Sequence, residues 1–350
     1  MTLTGKEYRA VVLSDKKKVS VETREAPSLE PGWVRVALAA GGICGSDLHY
    51  YKEFANVGYP LKNPVVMGHE ASGTIAEVGP GVEGLRPGDK VAVNPVMNCG
   101  FCPACQRGEA NLCVKKRFPC SAMIYPHVDG FFREYFETQA RLCLKVPEST
   151  DLYRLAFAEP LACTLHAVLK LGNLAGKKVL VTGSGPIGVL AASAVRAVGA
   201  GFLIVTDVVD EPLAIAKTMG ADAVLNTKEK KLAEALAEIG PVDAAIEASG
   251  AVPALLDCLE ALRKGGTMAQ LGTTPSGGLS VPWIYFQSKE INVLGSSQFN
   301  QEYAIAVNLI QTGRIDPQPL LSRQFKFEEA DQAFATAGDR HVCMKAQFIP

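Results

Sequence analysis

The stretch VLVTGSGPIG, residues 179–188, has the pattern of a short apolar strand, a glycine-rich turn and the start of a helix. The turn has the spacing G-x-G-x-x-G, and its glycines are Gly183, Gly185 and Gly188. Between a strand and a helix, the first glycine makes the tight turn, the second admits a pyrophosphate against the backbone, and the third lets helix and strand pack closely. The helix then begins at Pro186 and Ile187, with its N-terminus facing the anion. The stretch therefore predicts a dinucleotide-binding turn.

The chain around this turn alternates between strand-like and helix-like segments from about 177 to 297. The helix-like runs are 187–199, 211–219, 228–239 and 252–264. The strand-like runs between them are almost continuously apolar, which is typical of a parallel sheet with helices on both faces. Six such strands fit two mononucleotide-binding halves. We therefore predict an α/β fold with a doubly wound parallel sheet over this part of the chain.

Asp207 ends the second strand of this region, about 20 residues after the glycine-rich turn. A carboxylate at this place suits the two ribose hydroxyls of NAD and would repel the 2′-phosphate of NADP. The residues that follow, VVDEP at 208–212, offer no arginine to neutralise that phosphate. The sequence therefore predicts NAD rather than NADP.

The first 155 residues or so have a different pattern, with short alternating segments separated by Gly and Pro turns. These segments are VSVETRE at 19–25, WVRVALAA at 33–40, GTIAEVG at 73–79 and DKVAVNP at 89–95. They predict a β-rich part. The tail after 298 has one helix-like run and then short β-like pieces, so it could return to this first part.

A cluster of four cysteines lies in NCGFCPACQRGEANLC at 98–113, and its members are Cys99, Cys102, Cys105 and Cys113. Two residues between successive cysteines let the sulfurs converge as the backbone turns. Zinc prefers four tetrahedral ligands and binds thiolate well. Four thiolates leave no position for water or substrate, so we predict a structural zinc site in a lobe at about 95–115.

A second group of metal-ligand types is spread over three segments. GGICGSDLHYY at 41–51 supplies Cys44, GHEASGT at 68–74 supplies His69 and Glu70, and AFAEPLA at 156–162 supplies Glu159. A thiolate, an imidazole and a carboxylate would leave one position of a zinc ion open for water or substrate. An open zinc acts as a Lewis acid and lowers the pKa of a bound alcohol.

Composition limits the alternatives. The chain has 350 residues, with 35 basic and 36 acidic residues and a formal net charge of −1. No long basic block is present, which argues against nucleic acid and against an anionic membrane as partners. The opening residues lack a charged-then-apolar signal pattern, so we expect a cytoplasmic protein. Ten cysteines are too dilute for a disulfide scaffold, and in a reducing compartment a tight cluster holds metal.

Together these motifs resemble the zinc-dependent medium-chain dehydrogenase/reductase family, which includes the alcohol and polyol dehydrogenases. The run GHE-x2-G-x5-G-x2-V, residues 68–82, is specific for its zinc-containing members. The resemblance covers nearly the whole chain. It implies a GroES-like catalytic domain at 1–157 plus 298–350, an inserted Rossmann domain at 158–297, and an active site in the cleft between them.

The resemblance also implies roles for single residues. Cys44 and His69 match catalytic zinc ligands, Glu159 matches a glutamate that completes or closely flanks the coordination sphere, and Glu70 matches a carboxylate that can approach the zinc. The four cysteines match the structural zinc lobe. Ser46 and His49 match a relay that passes the alcohol proton to solvent. The predicted cofactor contacts also include Ser249, Leu271 and Ser296.

Within the family, the segments at 41–51 and 120–130 are most like those of dehydrogenases that act on sugar acids. The implied reaction is hydride transfer between a secondary alcohol, with L-idonate as the first candidate, and NAD(P). The predicted pocket includes Tyr50, His127 and Gln298. Relatives of this type have an arginine where Gln298 stands, and glutamine offers a carboxylate a weaker, neutral bond. A neutral polyol therefore remains a second candidate, and a cofactor-binding or redox-sensing relative without turnover remains a third.

The family also favours dimers and tetramers. The segment EINVLGSS at 290–297 is the last strand of the predicted Rossmann sheet, and it could pair with its own copy across a two-fold axis. We therefore expect a homodimer or homotetramer.

Overall fold

The computed structural model describes residues 3–275 and 277–350. The chain divides into two compact units, and the first comprises Met1–Glu159, Tyr303–Thr312 and Leu321–Pro350. The second comprises Pro160–Glu302 and Gly313–Leu320. Residues 298–302 and 313–320 thus pack with the second unit, whereas the sequence prediction places the whole of 298–350 with the first. Residues 158–159 pack with the first unit, whereas the prediction places them in the second. In the part of the chain that the structure describes, no helix is both long enough and apolar enough to cross a membrane.

The strands are β1 (Glu7–Asp15), β2 (Lys18–Glu25), β3 (Trp33–Gly42), β4 (Ala55–Asn56), β5 (Tyr59–Pro60), β6 (Val65–Val66), β7 (Glu70–Val78), β8 (Lys90–Val93), β9 (Tyr135–Gln139), β10 (Cys143–Lys145), β11 (Lys178–Thr182), β12 (Phe202–Asp207), β13 (Ala223–Asn226), β14 (Val242–Glu247), β15 (Leu262–Gln270), β16 (Asn292–Gly295), β17 (Leu321–Phe325) and β18 (Lys345–Phe348). The α-helices are α1 (Gly45–Glu53), α2 (Pro103–Gln106), α3 (Leu152–Leu155), α4 (Ala158–Lys170), α5 (Pro186–Ala197), α6 (Asp210–Thr218), α7 (Leu232–Ile239), α8 (Val252–Ala261), α9 (Ile284–Ser288), α10 (Glu302–Gln311) and α11 (Ala330–Ala337). Short 3-10 helices occupy Ala110–Leu112, Ala140–Leu142, Gln318–Leu320 and Phe327–Glu329.

The first unit is built from β-sheets. A seven-stranded sheet has the order β10-β8-β7-β3-β18-β17, with β9 also pairing with β3, and a three-stranded sheet has the order β2-β1-β6. Within the larger sheet the neighbours are antiparallel except β17 and β18, which are parallel. Because β18 pairs with β3, the C-terminal strand completes a sheet that begins near the N-terminus. An apolar core that includes Phe132, Phe136 and Phe348 holds this unit together.

The second unit contains a six-stranded sheet with the order β13-β12-β11-β14-β15-β16, and every neighbouring pair is parallel. This is the strand order of the Rossmann fold, in which the direction of winding reverses between the first strand, here β11, and the fourth, here β14. The buried strands pack against helices through a core that includes Leu180, Ile246 and Leu259. The prediction of a doubly wound parallel sheet is confirmed.

Two of the predicted helices are too long. The run 228–239 forms a helix only from Leu232, since the residues before it make turns at the end of β13. The run 252–264 stops being helical at Ala261, because Leu262 already pairs with Val242 as the first residue of β15. In both cases sheet pairing and its connecting turns outweigh a local helical pattern.

A buried ion-pair cluster links the strands of the first unit. Arg35 on β3 has no exposed surface. Its Nε lies 2.9 Å from Glu137 Oε1, its Nη1 pairs with Glu77, and its Nη2 donates to the carbonyl of Pro27. A guanidinium removed from water needs such partners, and removing it would leave Glu77 without its cation and Glu137 with Arg133 alone.

We expect Arg35→Ala to lower the free energy of unfolding by about 3–5 kcal/mol, because the largely buried carboxylate of Glu77 would lose its cation and that of Glu137 would keep only Arg133. Urea unfolding followed by circular dichroism measures the change. The matched control is Arg24→Ala, which removes a half-exposed pair with Glu22 and costs about 1 kcal/mol or less. Equal urea midpoints for the two variants would contradict the role of Arg35.

Candidate active site and structural metal centre

The glycine-rich turn follows β11, at the point where the direction of winding reverses. Gly183 has φ +89°, and a Cβ there would lie 2.9 Å from atoms of Ser249. A Cβ on Gly188 would lie 1.8 Å from the carbonyl oxygen of Gly183, so helix and turn touch backbone to backbone. Gly185 has open space around its Cβ position and directly precedes Pro186, the first residue of α5. The free amides of α5 therefore lie where an anion can approach.

Asp207 lies beside this turn. Its Oδ2 accepts the backbone N–H of Ser184 at 2.5 Å, and its Oδ1 accepts the N–H of Val208 at 2.6 Å. The carboxylate is therefore held next to the glycine-rich turn, at the end of β12. In parallel sheets the crevice outside the carboxyl ends of the strands binds the ligand.

Three buried polar atoms at the ends of strands in this sheet lack a hydrogen-bond partner in the described structure. They are Ser184 Oγ, Gln270 Oε1 and Ser296 Oγ. Buried polar groups are normally bonded, so an orphaned group needs an explanation. Leu271, between Gln270 and Gly272, donates its N–H to the Glu247 carbonyl at 2.9 Å. A polar cofactor with several donors and acceptors, such as a dinucleotide, fits this edge of the sheet.

The second cluster lies in the first unit, where β3, β7 and α1 meet. Cys44 precedes the first residue of α1, and His69 and Glu70 lie at the start of β7. Ligand atoms of these three residues lie within 4.8 Å of one another. His69 and Glu70 are buried, and Cys44 is half-buried. A Cys/His/Glu cluster of this kind suits zinc and leaves part of the coordination sphere open.

Glycines make room for this cluster. A Cβ on Gly42 would lie 2.1 Å from Glu70 Oε2, and one on Gly68 would lie 2.3 Å from the ring of Phe132. Gly68 also has φ +90°, a conformation that favours glycine. These two contacts explain in physical terms why the segments at 41–51 and 68–82 carry glycine at these places.

His69 lies in a strongly negative environment. Its Nδ1 is 3.8 Å from Asp47 Oδ1, and neither atom has a hydrogen-bond partner among the residues that the structure describes. Burial lowers the pKa of His69, but the carboxylate of Asp47 and the thiolate of Cys44 outweigh it and raise the pKa to about 10. A field that holds a proton this strongly also favours a divalent cation. Asp47 beside Nδ1 would leave Nε2 as the ring nitrogen for a metal.

Glu70 has a buried partner from the other end of the chain. Lys345 Nζ on β18 lies 2.6 Å from Glu70 Oε1, while Glu70 Oε2 has no hydrogen-bond partner within the described part of the chain. Burial lowers the pKa of Lys345, but Glu70 and Cys44 outweigh it and raise the pKa, so the ammonium stays charged. One oxygen of Glu70 is thus fixed by a cation, and the other remains available to a metal.

Glu159 is the second residue of α4 and is buried. It lies outside the set of three ligand atoms but close enough to contribute to the raised pKa of His69. Ser46 and His49 lie three residues apart on α1, so they share one face of that helix. Ser46 is half-buried and His49 is exposed, so exposure to water increases from Ser46 to His49.

The four-cysteine cluster is assembled as the spacing predicts. The Sγ–Sγ distances are 3.6 Å for Cys102–Cys105, 3.8 Å for Cys102–Cys113 and 3.5 Å for Cys99–Cys113. Four thiolates at about 2.3 Å from a zinc ion in a tetrahedron have their sulfurs about 3.8 Å apart. A disulfide would bring two sulfurs to about 2.05 Å, which is far shorter. The cluster therefore has the dimensions of a tetrahedral zinc site.

Backbone amides prepare this cluster for a cation. Hydrogen bonds from the N–H groups of Cys105 and Val114 lower the pKa of Cys102 to about 6, so its thiolate forms near neutral pH. Cys113 accepts the N–H groups of Cys99 and Lys115, each at 3.4 Å. Burial nevertheless raises the pKa of Cys113 to about 11. Because thiolate is the metal-binding form, Cys102 is the cysteine that these amides prepare for zinc.

The predicted pocket residues differ in their surroundings. Tyr50 is buried, its hydroxyl accepts the N–H of Ala122 at 3.0 Å, and burial raises its pKa to about 12. His127 Nε2 accepts the N–H of Lys62 at 2.9 Å, and its Nδ1 lies 2.8 Å from the carbonyl of Ile124. A neutral ring with these bonds offers no N–H to a substrate carboxylate. Its role in the pocket stays a prediction that requires these bonds to be exchanged. Gln298 follows β16, is half-buried and has φ +53°.

The comparison with known families decides what kind of protein carries these sites. Residues 30–148 match the model of the alcohol dehydrogenase GroES-like domain, and residues 186–312 match that of zinc-binding dehydrogenases. The chain belongs to the zinc-binding medium-chain alcohol dehydrogenase family. This confirms the resemblance drawn from the motifs and the expectation of a GroES-like domain beside a Rossmann domain.

Several characterised relatives are similar over their whole length. An L-idonate 5-dehydrogenase (NAD(P)(+)) from Escherichia coli strain K12 is 37% identical, over 97% of this chain and 98% of its own. A sorbitol dehydrogenase from Bacillus subtilis strain 168 is 32% identical, over 98% and 97%. The crystal structure of the E. coli L-idonate 5-dehydrogenase superposes with a TM-score of 0.92 at 36% identity, over 98% of both chains.

Two residues beside the metal cluster, Asp47 and Lys345, were not predicted from the sequence. Asp47 lies at the third position of α1 and accepts the N–H of Cys44 at 3.0 Å. An acidic side chain at this position of a helix is a recognisable start signal, so its place near Cys44 could have been inferred. Lys345 is 275 residues from Glu70, and no local pattern links the two.

We expect the dehydrogenase to contain about two zinc ions per chain, measured by atomic emission after gel filtration. Cys44→Ser removes one ligand of the open cluster and should leave about one zinc. Turnover should fall at least about a thousandfold, because the Lewis acid supplies several kcal/mol of stabilisation.

Two further variants complete this measurement. Cys105→Ser should lose the other zinc, and Cys163→Ser, a half-buried cysteine outside both clusters, should keep both ions. Near-normal turnover by Cys44→Ser would defeat the assignment of the open cluster as the catalytic site.

Proposed function

We propose that the chain is a zinc-dependent dehydrogenase that transfers a hydride between a secondary alcohol and NAD(P), with a sugar acid or polyol as substrate. The observation that supports this most directly is the Cys44, His69 and Glu70 cluster, which is open to a further ligand and lies in a negative field. The relatives named above, an L-idonate and a sorbitol dehydrogenase, act on substrates of these two classes.

Zinc, when bound by Cys44 and His69 with a carboxylate from Glu70 or Glu159, supplies a Lewis acid that lowers the pKa of the substrate hydroxyl. Lys345 holds one oxygen of Glu70 and so limits how far that carboxylate can move. Asp47 faces Nδ1 of His69, and its negative charge would favour the tautomer that carries the proton on that nitrogen. These residues orient the site before substrate enters, which reduces reorganisation during the reaction.

Ser46 and His49 provide a route for the proton that the alcohol loses. In the proposed relay the Ser46 hydroxyl accepts this proton as it donates its own, and His49 passes a proton to water. Serine can do this because a hydroxyl both donates and accepts. Histidine can do so because its ordinary pKa lies close to neutral pH.

We propose NAD as the preferred cofactor, which supplies the hydride acceptor. The free amides of α5 and the open backbone at Gly185 would hold the pyrophosphate, and Asp207 would accept bonds from the ribose hydroxyls. Ser249, Leu271 and Ser296, at the ends of the neighbouring strands, are the further contacts that we propose.

L-idonate is the leading substrate, because two L-idonate 5-dehydrogenases are among the relatives, the second from Vitis vinifera at 33% identity. Gln298 favours the alternative, a neutral polyol, since glutamine lacks the charge that a carboxylate prefers.

We further propose a homodimer or homotetramer, with β16 as the pairing edge. None of the ten cysteines forms a disulfide with another described residue, which fits a reducing compartment such as the cytoplasm.

A substrate panel tests the proposed function. Zinc-loaded protein is assayed with L-idonate, D-gluconate, sorbitol, xylitol and threonine, each with NAD and with NADP, and NADH or NADPH formation is followed by absorbance. Turnover that is fastest with L-idonate supports the leading substrate, and turnover that is fastest with sorbitol or xylitol supports the polyol. No turnover with any alcohol and a single zinc per chain would support the relative without turnover.

We expect Asp207→Ala to raise the ratio of kcat/KM for NADP to that for NAD by about tenfold, because the repulsion of the 2′-phosphate is removed together with the bonds to the ribose hydroxyls. Asp210→Ala is the matched control, since Asp210 is an exposed carboxylate three residues further along the chain. An unchanged ratio in Asp207→Ala would show that this carboxylate does not read the ribose.

We expect Gln298→Arg to raise the ratio of kcat/KM for L-idonate to that for sorbitol by about tenfold, because arginine forms two charge-assisted bonds with a carboxylate. Gln301→Arg, at an exposed position, adds the same charge nearby and serves as the control. If both variants change the ratio equally, position 298 does not read the carboxylate.

A further inference from the structure

Glu247, the last residue of β14, is a buried carboxylate that the catalytic proposal does not use. It has no exposed surface, and in the part of the chain that the structure describes no basic side chain pairs with it. A buried charge without a cation must be stabilised by hydrogen bonds. The number and direction of those bonds show what the carboxylate holds in place.

One side of the carboxylate binds the loop that follows β14. Oε1 accepts the N–H of Ser249 at 2.7 Å, the hydroxyl of Ser249 at 2.5 Å and the N–H of Gly250 at 2.9 Å. The Ser249 hydroxyl also accepts the N–H of Ala251 at 3.0 Å, directly before α8. Glu247 therefore fixes the conformation of residues 249–251 and the entry into α8.

The other side binds the strand next to β14. Oε2 accepts Gln270 Nε2 at 2.6 Å, and the same amide nitrogen donates to the Gly272 carbonyl at 2.7 Å. The backbone carbonyl of Glu247 accepts the N–H groups of Leu271 at 2.9 Å and Gly272 at 2.8 Å. One residue thus ties together the loops that follow β14 and β15.

The loops that follow β14 and β15 are in close contact. A Cβ on Gly250 would lie 2.2 Å from the Thr273 carbonyl oxygen. A Cβ on Gly272 would lie 2.3 Å from the N of Gly250 and 2.6 Å from Glu247 Oε2. The two loops therefore touch backbone to backbone around the carboxylate.

The contact continues to the glycine-rich turn. A Cβ on Gly183 would lie 2.9 Å from the N, Cα and Cβ of Ser249, so the turn after β11 rests directly on the loop that Glu247 holds. The strands β11 and β14 flank the place where the winding reverses, and a dinucleotide crosses the crevice at that place. A movement of Ser249 would therefore change the protein surface that contacts the pyrophosphate and the nicotinamide half of a bound dinucleotide.

We propose that Glu247 is a positioning residue for the dinucleotide: its carboxylate locks the loops after β14 and β15 against the glycine-rich turn, and so shapes the cofactor crevice without touching the cofactor. The proposal rests on the proposed use of NAD(P) by this unit. In this proposal Glu247 binds no group of the cofactor directly and acts only through Ser249, Gly250 and Gln270.

The test is the affinity for NADH of the zinc-loaded, full-length Glu247→Gln variant, measured by the rise of NADH fluorescence on binding. Glutamine keeps the shape of the side chain but turns one oxygen into a donor, which then faces the donors of Ser249, Gly250 or Gln270. We expect the Kd for NADH to rise by about tenfold, a typical size for a residue that acts through others. The KM for NAD should rise with it, while the KM for the alcohol and the zinc content stay unchanged.

A matched control separates positioning from loss of stability. Leu259→Ala truncates a buried side chain near the other end of α8, far along the helix from the loop. It should lower the Tm at least as much as Glu247→Gln while changing the Kd for NADH by less than twofold. Equal Kd values for wild type and Glu247→Gln, or an equal rise in both variants, would overturn the proposal.

The test also covers loss of folding in the variant and loss of cofactor binding in the wild type. If Glu247→Gln does not yield folded protein, Gln270→Met is measured in its place, because it keeps the carboxylate of Glu247 and removes the amide that donates to Oε2 and to the Gly272 carbonyl. A rise of about threefold in the Kd for NADH then supports the proposal, and an unchanged Kd overturns it. Failure of the wild-type chain to bind NADH or NADPH would overturn the proposed function itself. Binding by wild type that Glu247→Gln leaves unchanged would overturn the positioning role alone.

Discussion

A carboxylate removed from water must have a partner, and the metal cluster of the first unit depends on how that requirement is met at Glu70. Its partner, Lys345, comes from the C-terminal strand. The pair can form only if β18 lies beside β3 and β3 beside β7, with Gly42 opposite both Glu70 and Gln347 in the sheet. The tail must therefore return to the first sheet before the cluster of Cys44, His69 and Glu70 is complete.

The second unit meets the same requirement by different means. Glu247 is as deeply buried as Glu70, yet its partners are neutral amides and a hydroxyl instead of an ammonium group. A single cation fixes one oxygen at one point, whereas several amides fix several loops at once. The lysine at Glu70 also cancels one negative charge, whereas Asp47 and then Cys44 are the main causes of the raised pKa of His69. Glu70 is thus stabilised by one ammonium group beside the metal cluster, and Glu247 by several neutral donors that belong to two loops.

Much of the fold could be predicted because the decisive signals are local. The turn at 179–188, the apolar strands and the spacing of the four cysteines each depend on residues close together in the chain, and the structure has the parallel sheet and the thiol cluster in those places. The boundaries of α7 and α8 were less predictable, since pairing of Leu262 with Val242 ends a helix that the local pattern would extend. Lys345 was not predictable at all, because its partner is fixed by sheet order and not by spacing.

For the same reason, the type of reaction is easier to predict from the sequence than the substrate. A metal ion and a pyrophosphate require donors at fixed spacing, and short motifs record that requirement. Substrate recognition instead depends on side chains whose bonds cannot be read from residue type. His127 shows this, since histidine in a candidate pocket suggests a ligand, yet both ring nitrogens are bonded to the backbone at Lys62 and Ile124. Its ring is bonded to the backbone of the first unit, so it would recognise a substrate group only after exchanging these bonds.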